Sequence, residues 1–177
     1  MRPKKVEDAH NDYAWSADPE LARLDATWPL NLPLAEYVKL HKDMLNSPDG
    51  RHFAIETREG KHIGNGMVYN LKDGRGELGI MIGDKDYWGQ GLGTEAVGLL
   101  VDYAFQSLKL RELALHTLSW NSRAQKCFEK CGFTVAGRRI WGSQTFLRMK
   151  LSYAQWQMRS QGLTKPLPAE PLPPSPA

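Results

Sequence analysis

One stretch limits what this chain can fold into. It runs from Gly79 to Ala104: Gly-Ile-Met-Ile-Gly-Asp-Lys-Asp-Tyr-Trp-Gly-Gln-Gly-Leu-Gly-Thr-Glu-Ala-Val-Gly-Leu-Leu-Val-Asp-Tyr-Ala. The apolar run Leu78 to Ile82 just ahead reads as a buried strand. A polar loop with Gly89, Gly91 and Gly93 follows. Val97, Leu100, Val101, Ala104 and Leu108 then recur at helical spacing. Strand, glycine loop, helix is a recurring way to hold a phosphate. Glycines let the backbone approach the ligand, and the first helical turn offers unpaired N–H groups at the positive end of the dipole. The amides of Gln90 to Thr94 are the expected anion site. Gly91-Leu92-Gly93-Thr94-Glu95-Ala96 fits the letters of the dinucleotide fingerprint G-x-G-x-x-A. Its context differs, because those glycines should follow the strand directly and open a parallel βαβ unit. Here Gly83 to Gly89 intervenes, and the upstream strands read as hairpins. No Gly-Lys-Ser/Thr is present, which excludes a P-loop. The plainer alternative is a glycine-rich turn ahead of a core helix.

The rest of the chain narrows the class. A length of 177 residues is one domain, long enough to bury a sizeable core. A net charge of +3, with both signs interspersed, suits an anionic ligand and does not point to nucleic acid. No apolar run approaches the roughly 18 residues of a membrane span, and Met1 to Ala9 lacks the apolar centre of a signal peptide. No membrane partner is expected. Cys127 and Cys131 are one turn apart on an expected helix. That suits two free thiols in a reducing cytoplasm, and two are too few for a metal site. Six of the fourteen residues from Thr164 onward are proline, which reads as an extended tail without a core role. The domain is expected over 1–163 and the tail over 164–177.

Pattern places the elements. Residues 2 to 6 form a short strand and Glu7 to Trp15 a helix. Asp18 caps a second short helix with Pro19 in its first turn. Leu34 to Leu45 has helical spacing. Strands follow at Phe53 to Glu56, Ile63 to Leu71 and Glu77 to Ile82, the last two joined at Lys72 to Gly76. Gly64 and Gly66 mark a possible bulge. Beyond the long helix, Glu112 to Thr117 is a strand in which His116 is the only histidine expected on a central strand. A helix opens at Ser122 with a Ser122/Gln125 capping box and stops at Gly132, where Phe128 and Phe133 pack across the cap. Val135 to Trp141 and Phe146 to Leu151 make a last hairpin. This is an antiparallel meander joined to helices, an α+β chain.

Tyr87 to Ala96, Tyr-Trp-Gly-Gln-Gly-Leu-Gly-Thr-Glu-Ala, resembles the acyl-CoA pyrophosphate loop of the GNAT N-acetyltransferases, closest to the RimJ/RimL-like branch. Trp88 stands where the wider family has Arg or Gln. Asn121 to Phe133, Asn-Ser-Arg-Ala-Gln-Lys-Cys-Phe-Glu-Lys-Cys-Gly-Phe, resembles the family's second signature. Arg2-Pro3 and Val6-Glu7-Asp8-Ala9 resemble its opening. The resemblance spans roughly residues 2 to 153. It implies a GNAT fold: a mixed, mostly antiparallel sheet of six to seven strands, about four flanking helices, and a splayed strand pair that binds acyl-CoA. It implies acetyl-CoA as donor, no metal, and direct transfer to a primary amine, either a protein N-terminus or a small molecule. Pyrophosphate would sit on Gly89, Gln90, Gly91, Leu92, Gly93 and Thr94. Pantetheine would pair with backbone at Met81 and Ile82 opposite the His116 strand, with the Asn121 amide and Phe128 beside it.

The transfer needs a base, because a primary amine has a pKa of roughly 8 to 10.4. His116 is the first candidate, since it titrates near neutrality and lies where some relatives carry a catalytic glutamate. Glu77 is the second. The plain alternatives are a core histidine and a solvated carboxylate. Phe128 occupies the position of a tyrosine that often protonates the leaving thiolate, so Cys127, Ser119 or water is left for that step. Arg123, Lys126 and Lys130 are placed to help with phosphate, with a solvated helix face the plainer reading for each. Asp25, Trp28 and Trp141 are expected over the acceptor. A catalytically silent acyl-CoA-binding regulatory module is the alternative reading, with a dehydrogenase a distant third. Monomer and homodimer both remain open.

Overall fold

The computed structural model describes residues 1–162, so the tail from Thr164 lies outside the described residues. The chain runs β1 (Arg2–Pro3), α1 (Ala9–Ala17), α2 (Pro19–Leu24), α3 (Leu34–Asn46), β2 (Gly50–Glu56), β3 (His62–Lys72) and β4 (Arg75–Ile82). It continues with α4 (Leu92–Asp102), β5 (Glu112–Leu118), α5 (Ser122–Lys130), β6 (Thr134–Trp141), β7 (Gln144–Ser152) and α6 (Tyr153–Ser160). Seven strands form one sheet in the order β1-β2-β3-β4-β5-β7-β6. Every neighbouring pair is antiparallel except β4 and β5. The expected α+β GNAT fold is present, with six α-helices among the described residues rather than about four.

Alternation along β3 separates the two faces of the sheet. Val68 is fully buried on the face covered by α4, in a core with Val97, Leu100, Val101, Leu113, Leu115, Met149 and Leu151. Each such side chain contributes about 1.5–3 kcal/mol by leaving water. Gly66 shares that face, because a Cβ there would lie 2.8 Å from Leu100 Cδ1. On the opposite face Asn65 Nδ2 donates to Asp12 Oδ1 of α1 at 2.6 Å. The expected bulge is real. The β2–β3 register shifts between Ile55 and Glu56, beside Gly64.

Local signals succeed and fail for identifiable reasons. Asp18 accepts from the Glu20 and Leu21 amides, with Pro19 at the first helical position. Gly132 has φ +98, and the Phe128 and Phe133 rings meet at 6.1 Å. The Ser122/Gln125 box does not form. Asn121 caps α5 by accepting from the Ala124 amide, and Gln125 donates to the Leu118 and Ser119 carbonyls. A true box lies at Ser152 and Gln155 and opens α6, an unforeseen helix that begins directly at the end of a strand. The long helix ends earlier than its spacing implies: Tyr103–Ser107 widens into a π turn. His116 is not alone on a strand, since His52 lies in β2 and His62 opens β3.

Candidate active site

β4 and β5 pair only at Arg75–Glu112, Gly76–Leu113 and Glu77–Ala114. Beyond that point they separate, and the gap opens toward the glycine loop. The Gly83 amide donates to Ile63 O at 2.9 Å, and Gly83 is two residues beyond Met81, which stands opposite Asn65 of β3. In an antiparallel ladder alternate residues point their polar backbone groups to one neighbour. Met81 therefore faces β3, while Ile80 and Ile82 face the gap. The resemblance puts Met81 and Ile82 backbone at the gap; the register keeps Ile82 there, turns the Met81 backbone toward β3 and brings that of Ile80 to the gap, while all three residues line the cleft below. Trp88 Nε1 already donates to Ile82 O at 2.8 Å.

The loop holds its shape through two left-handed glycines, Gly89 at φ +74 and Gly91 at φ +81. The Thr94 and Glu95 amides donate to Gly91 O at 2.9 and 3.1 Å. Thr94 is thus spent on closing the helix, a correction to its expected place among the free donors. The amides of Gln90, Gly91, Leu92 and Gly93 have no backbone acceptor among the described residues. They crown the N-terminus of α4, where an anion is favoured.

A cleft of about 380 Å³ joins these parts. Met81, Ile82, Gly89, Gly91, Leu92, Gly93, Thr94, Asn121 and Phe128 line it, together with Asp25 from the end of α2. Gln90 does not. Its side chain turns back and donates to Asp86 O at 2.8 Å. The Asn121 carbonyl oxygen is committed to the helix cap, which leaves its amide nitrogen as the available group. Trp28 and Trp141 are 92% and 70% exposed and take no part in the cleft. The resemblance placed them over the acceptor as aromatic partners for a cationic amine, and that role belongs to the loops outside this cleft. Cys127 and Cys131 are free thiols. Burial pushes the Cys127 thiol up, and Cys131 up to about 11. Thr94 Oγ1 donates to Cys127 Sγ at 3.5 Å.

His116 and Glu77 meet where the strands part, with Nδ1 and Oε2 3.6 Å apart and both side chains partly exposed. Glu77 stands directly opposite Tyr69 of β3. Burial first, then the charge of Glu77 and a hydrogen bond to it, with Asp25 behind, push the Tyr69 phenol to about 12. Asp25 keeps contact with solvent yet is crowded by protein, and that crowding raises its carboxyl pKa. Tyr69, Glu77, His116 and Asp25 thus gather on one side of the gap. Tyr69 went unnoticed in the sequence because its partner depends on a bulge between Tyr69 and Lys72. The donor set holds no metal cluster of three or more His, Cys, Asp or Glu among the described residues. No helix there is long and apolar enough to cross a membrane.

The model of the acetyltransferase (GNAT) domain family matches residues 1–134. The chain is 25% identical over 142 residues to an N-acetyltransferase, p20, of Bacillus licheniformis, covering 77% of this chain and 79% of that protein. Its fold is similar to spermidine N-acetyltransferase from Vibrio cholerae in complex with CoA and spermine, with a TM-score of 0.81 at 21% identity over 88% of this chain and 96% of that one. Aminoglycoside acetyltransferase AAC(6')-Ib in complex with coenzyme A gives 0.76 at 20% identity over 90% and 97%.

Proposed function

The chain belongs to the GNAT acetyltransferase family, and from that premise we propose that it transfers acetyl from acetyl-CoA directly to a small cationic amine. The observation that carries this reading is the cleft that runs from the open amides of Gly91 to Gly93 at the α4 N-terminus to Ile80 and Ile82 on the parted edge of β4, with His116 and Glu77 paired outside that cleft, at the point where β4 and β5 part. When bound, acetyl-CoA supplies an acetyl thioester whose carbonyl carbon accepts the amine nitrogen as the C–S bond breaks. The chain's own residues do the rest. The amides of Gly91 to Gly93 hold the diphosphate. The polar groups of Ile80 and the N–H of Ile82 face the pantetheine arm, with Phe128 packed beside it. His116, oriented by Glu77, takes the proton of the ammonium. A positioned base is worth about 10²–10⁴-fold.

Asp25 and Glu77 put two carboxylates on the acceptor side, which supports a cationic small molecule over a neutral one. Spermidine and aminoglycoside acetyltransferases are among the proteins of like fold. A protein N-terminus remains a second acceptor class, which the RimJ/RimL-like spelling of the loop supports. Phe128 donates no proton, so the thiolate takes one from water or from the Cys127 thiol. Residues 1–163 act as one domain, and the free thiols fit a reducing cytoplasm.

The test is thiol release from acetyl-CoA against polyamines, aminoglycosides and short peptides, with His116→Ala and Glu77→Gln in parallel. Amine-dependent release, reduced about a hundredfold in His116→Ala with CoA binding intact, is the expected result. Tight CoA binding without release on any amine would favour the silent acyl-CoA-binding module.

A further inference from the structure

Trp88 and Arg123 form a contact that spans the cleft mouth. The Arg123 guanidinium of α5 lies 4.0 Å from the centre of the Trp88 ring. The same indole is fixed from its edge by the 2.8 Å hydrogen bond to Ile82 O. Both residues line the cleft with the glycine loop. Lys126 and Lys130 of α5 also line the cleft and make no ion pair among the described residues, but neither lies over an aromatic ring there; Lys85 lies 5.9 Å from the Trp88 ring, and its charge is answered by Asp18 and Glu20, each at 2.8 Å. Arg123 makes no ion pair among the described residues. A guanidinium stacked on an aromatic face keeps its N–H edge free for a phosphate.

We propose that Trp88 holds Arg123 over the glycine loop as the cation that binds the diphosphate of the acyl-CoA. The assignment rests on the acyl-CoA reading of the cleft. The amides of Gly91 to Gly93 bind an anion through partial charges only, and the loop contributes no full positive charge. Two negative charges on a diphosphate call for one, and Arg123 is the cation whose position is set by stacking rather than by a carboxylate. The indole thereby does two jobs. Its N–H fixes the end of β4, and its face fixes a side chain from α5.

Calorimetric titration with CoA and with dephospho-CoA over a range of salt concentrations tests this. Arg123→Gln is expected to weaken both ligands equally, by about tenfold. The slope of log affinity against log salt should become shallower, because a full charge that salt would screen has been removed. Arg123→Lys should recover only part of the loss, because an ammonium lacks the planar stack. Trp88→Leu should weaken CoA to a similar degree, and Trp88→Leu with Arg123→Gln should be little worse than either alone. Thermal melts of each variant separate misfolding from loss of contact. Unchanged affinity in Arg123→Gln overturns the assignment, as does an unchanged salt slope. A loss confined to CoA would give Arg123 to the 3′-phosphate and overturn it too. If the wild-type protein binds neither ligand, the acyl-CoA reading itself falls and this assignment with it.

Discussion

Tyr69, Glu77 and His116 sit in a row across three adjacent strands, β3, β4 and β5. Their coupling is testable one residue at a time. Burial contributes most to the raised Tyr69 pKa, and the charge and hydrogen bond of Glu77 add to it. Glu77→Gln removes the second contribution and leaves the first. Tyr69 should then titrate below about 12 but still above its ordinary value of 10, as read by the phenolate absorbance band. An unmoved titration would mean that Tyr69 senses burial alone. His116 and Glu77 were legible in the sequence because a polar residue in an apolar strand stands out. Tyr69 was not, and Arg123 stood out only as one of three α5 cations that could meet phosphate, with nothing to choose it from Lys126 and Lys130. A tyrosine is ordinary in a strand and an arginine is ordinary on a helix, and only their neighbours make them unusual.

The glycine loop and α4 behave as one element. Gly91 has φ +81 with nothing within 4 Å of a Cβ position, so its constraint is conformational and not spatial. Gly91→Ala should cost about 1 kcal/mol in stability. It should also weaken CoA binding, since the donors from Gly91 to Gly93 rotate with that residue. Gly66 is the opposite case. An added Cβ there meets Leu100 Cδ1 at 2.8 Å, and Leu100 is fully buried. Gly66→Ala should lower stability by about 1–3 kcal/mol by pushing α4 from the sheet, measured by denaturant unfolding. CoA affinity should fall with it, because the same helix carries the loop. The loop itself was plain in the sequence, as glycine spacing and helical periodicity are local. The box at Ser152 was not, because no breaking residue separates β7 from α6.

Across the whole molecule, the N-terminal segment is tied to the far face of the sheet by buried charge. Arg2 donates to both Asp8 oxygens at 2.7 Å and to Glu56 at 2.8 Å. Lys4 pairs with the buried Asp12 at 2.6 Å. Burial pushes the Asp8 carboxyl up, but the Arg2 hydrogen bonds, the Lys5 amide and the Arg2 charge outweigh it and hold the group at about 2 against an ordinary 3.8. A depressed folded-state pKa adds stability that is complete above the unfolded value and is lost as pH falls through the folded one. Acid unfolding curves of the wild-type protein should therefore lose about 2 kcal/mol between pH 4 and pH 2, and Asp8→Asn should flatten that loss. The amino-acid sequence by itself determined the local pieces: the loop, the left-handed cap at Gly132, the Asp18 cap and the apolar run of β4. Each depends on residues a few positions apart, so its physics is complete within a short window. Tertiary structure alone decided which of them meet. The direction of Ile80 and Ile82 follows from strand register, and the gap follows from β4 and β5 parting after Glu77. Tyr69 reaches that site through the β3–β4 register, and Asp25 and Arg123 through the ends of α2 and α5. Those distances are set by packing between segments far apart in the chain, and no short stretch of sequence contains both partners.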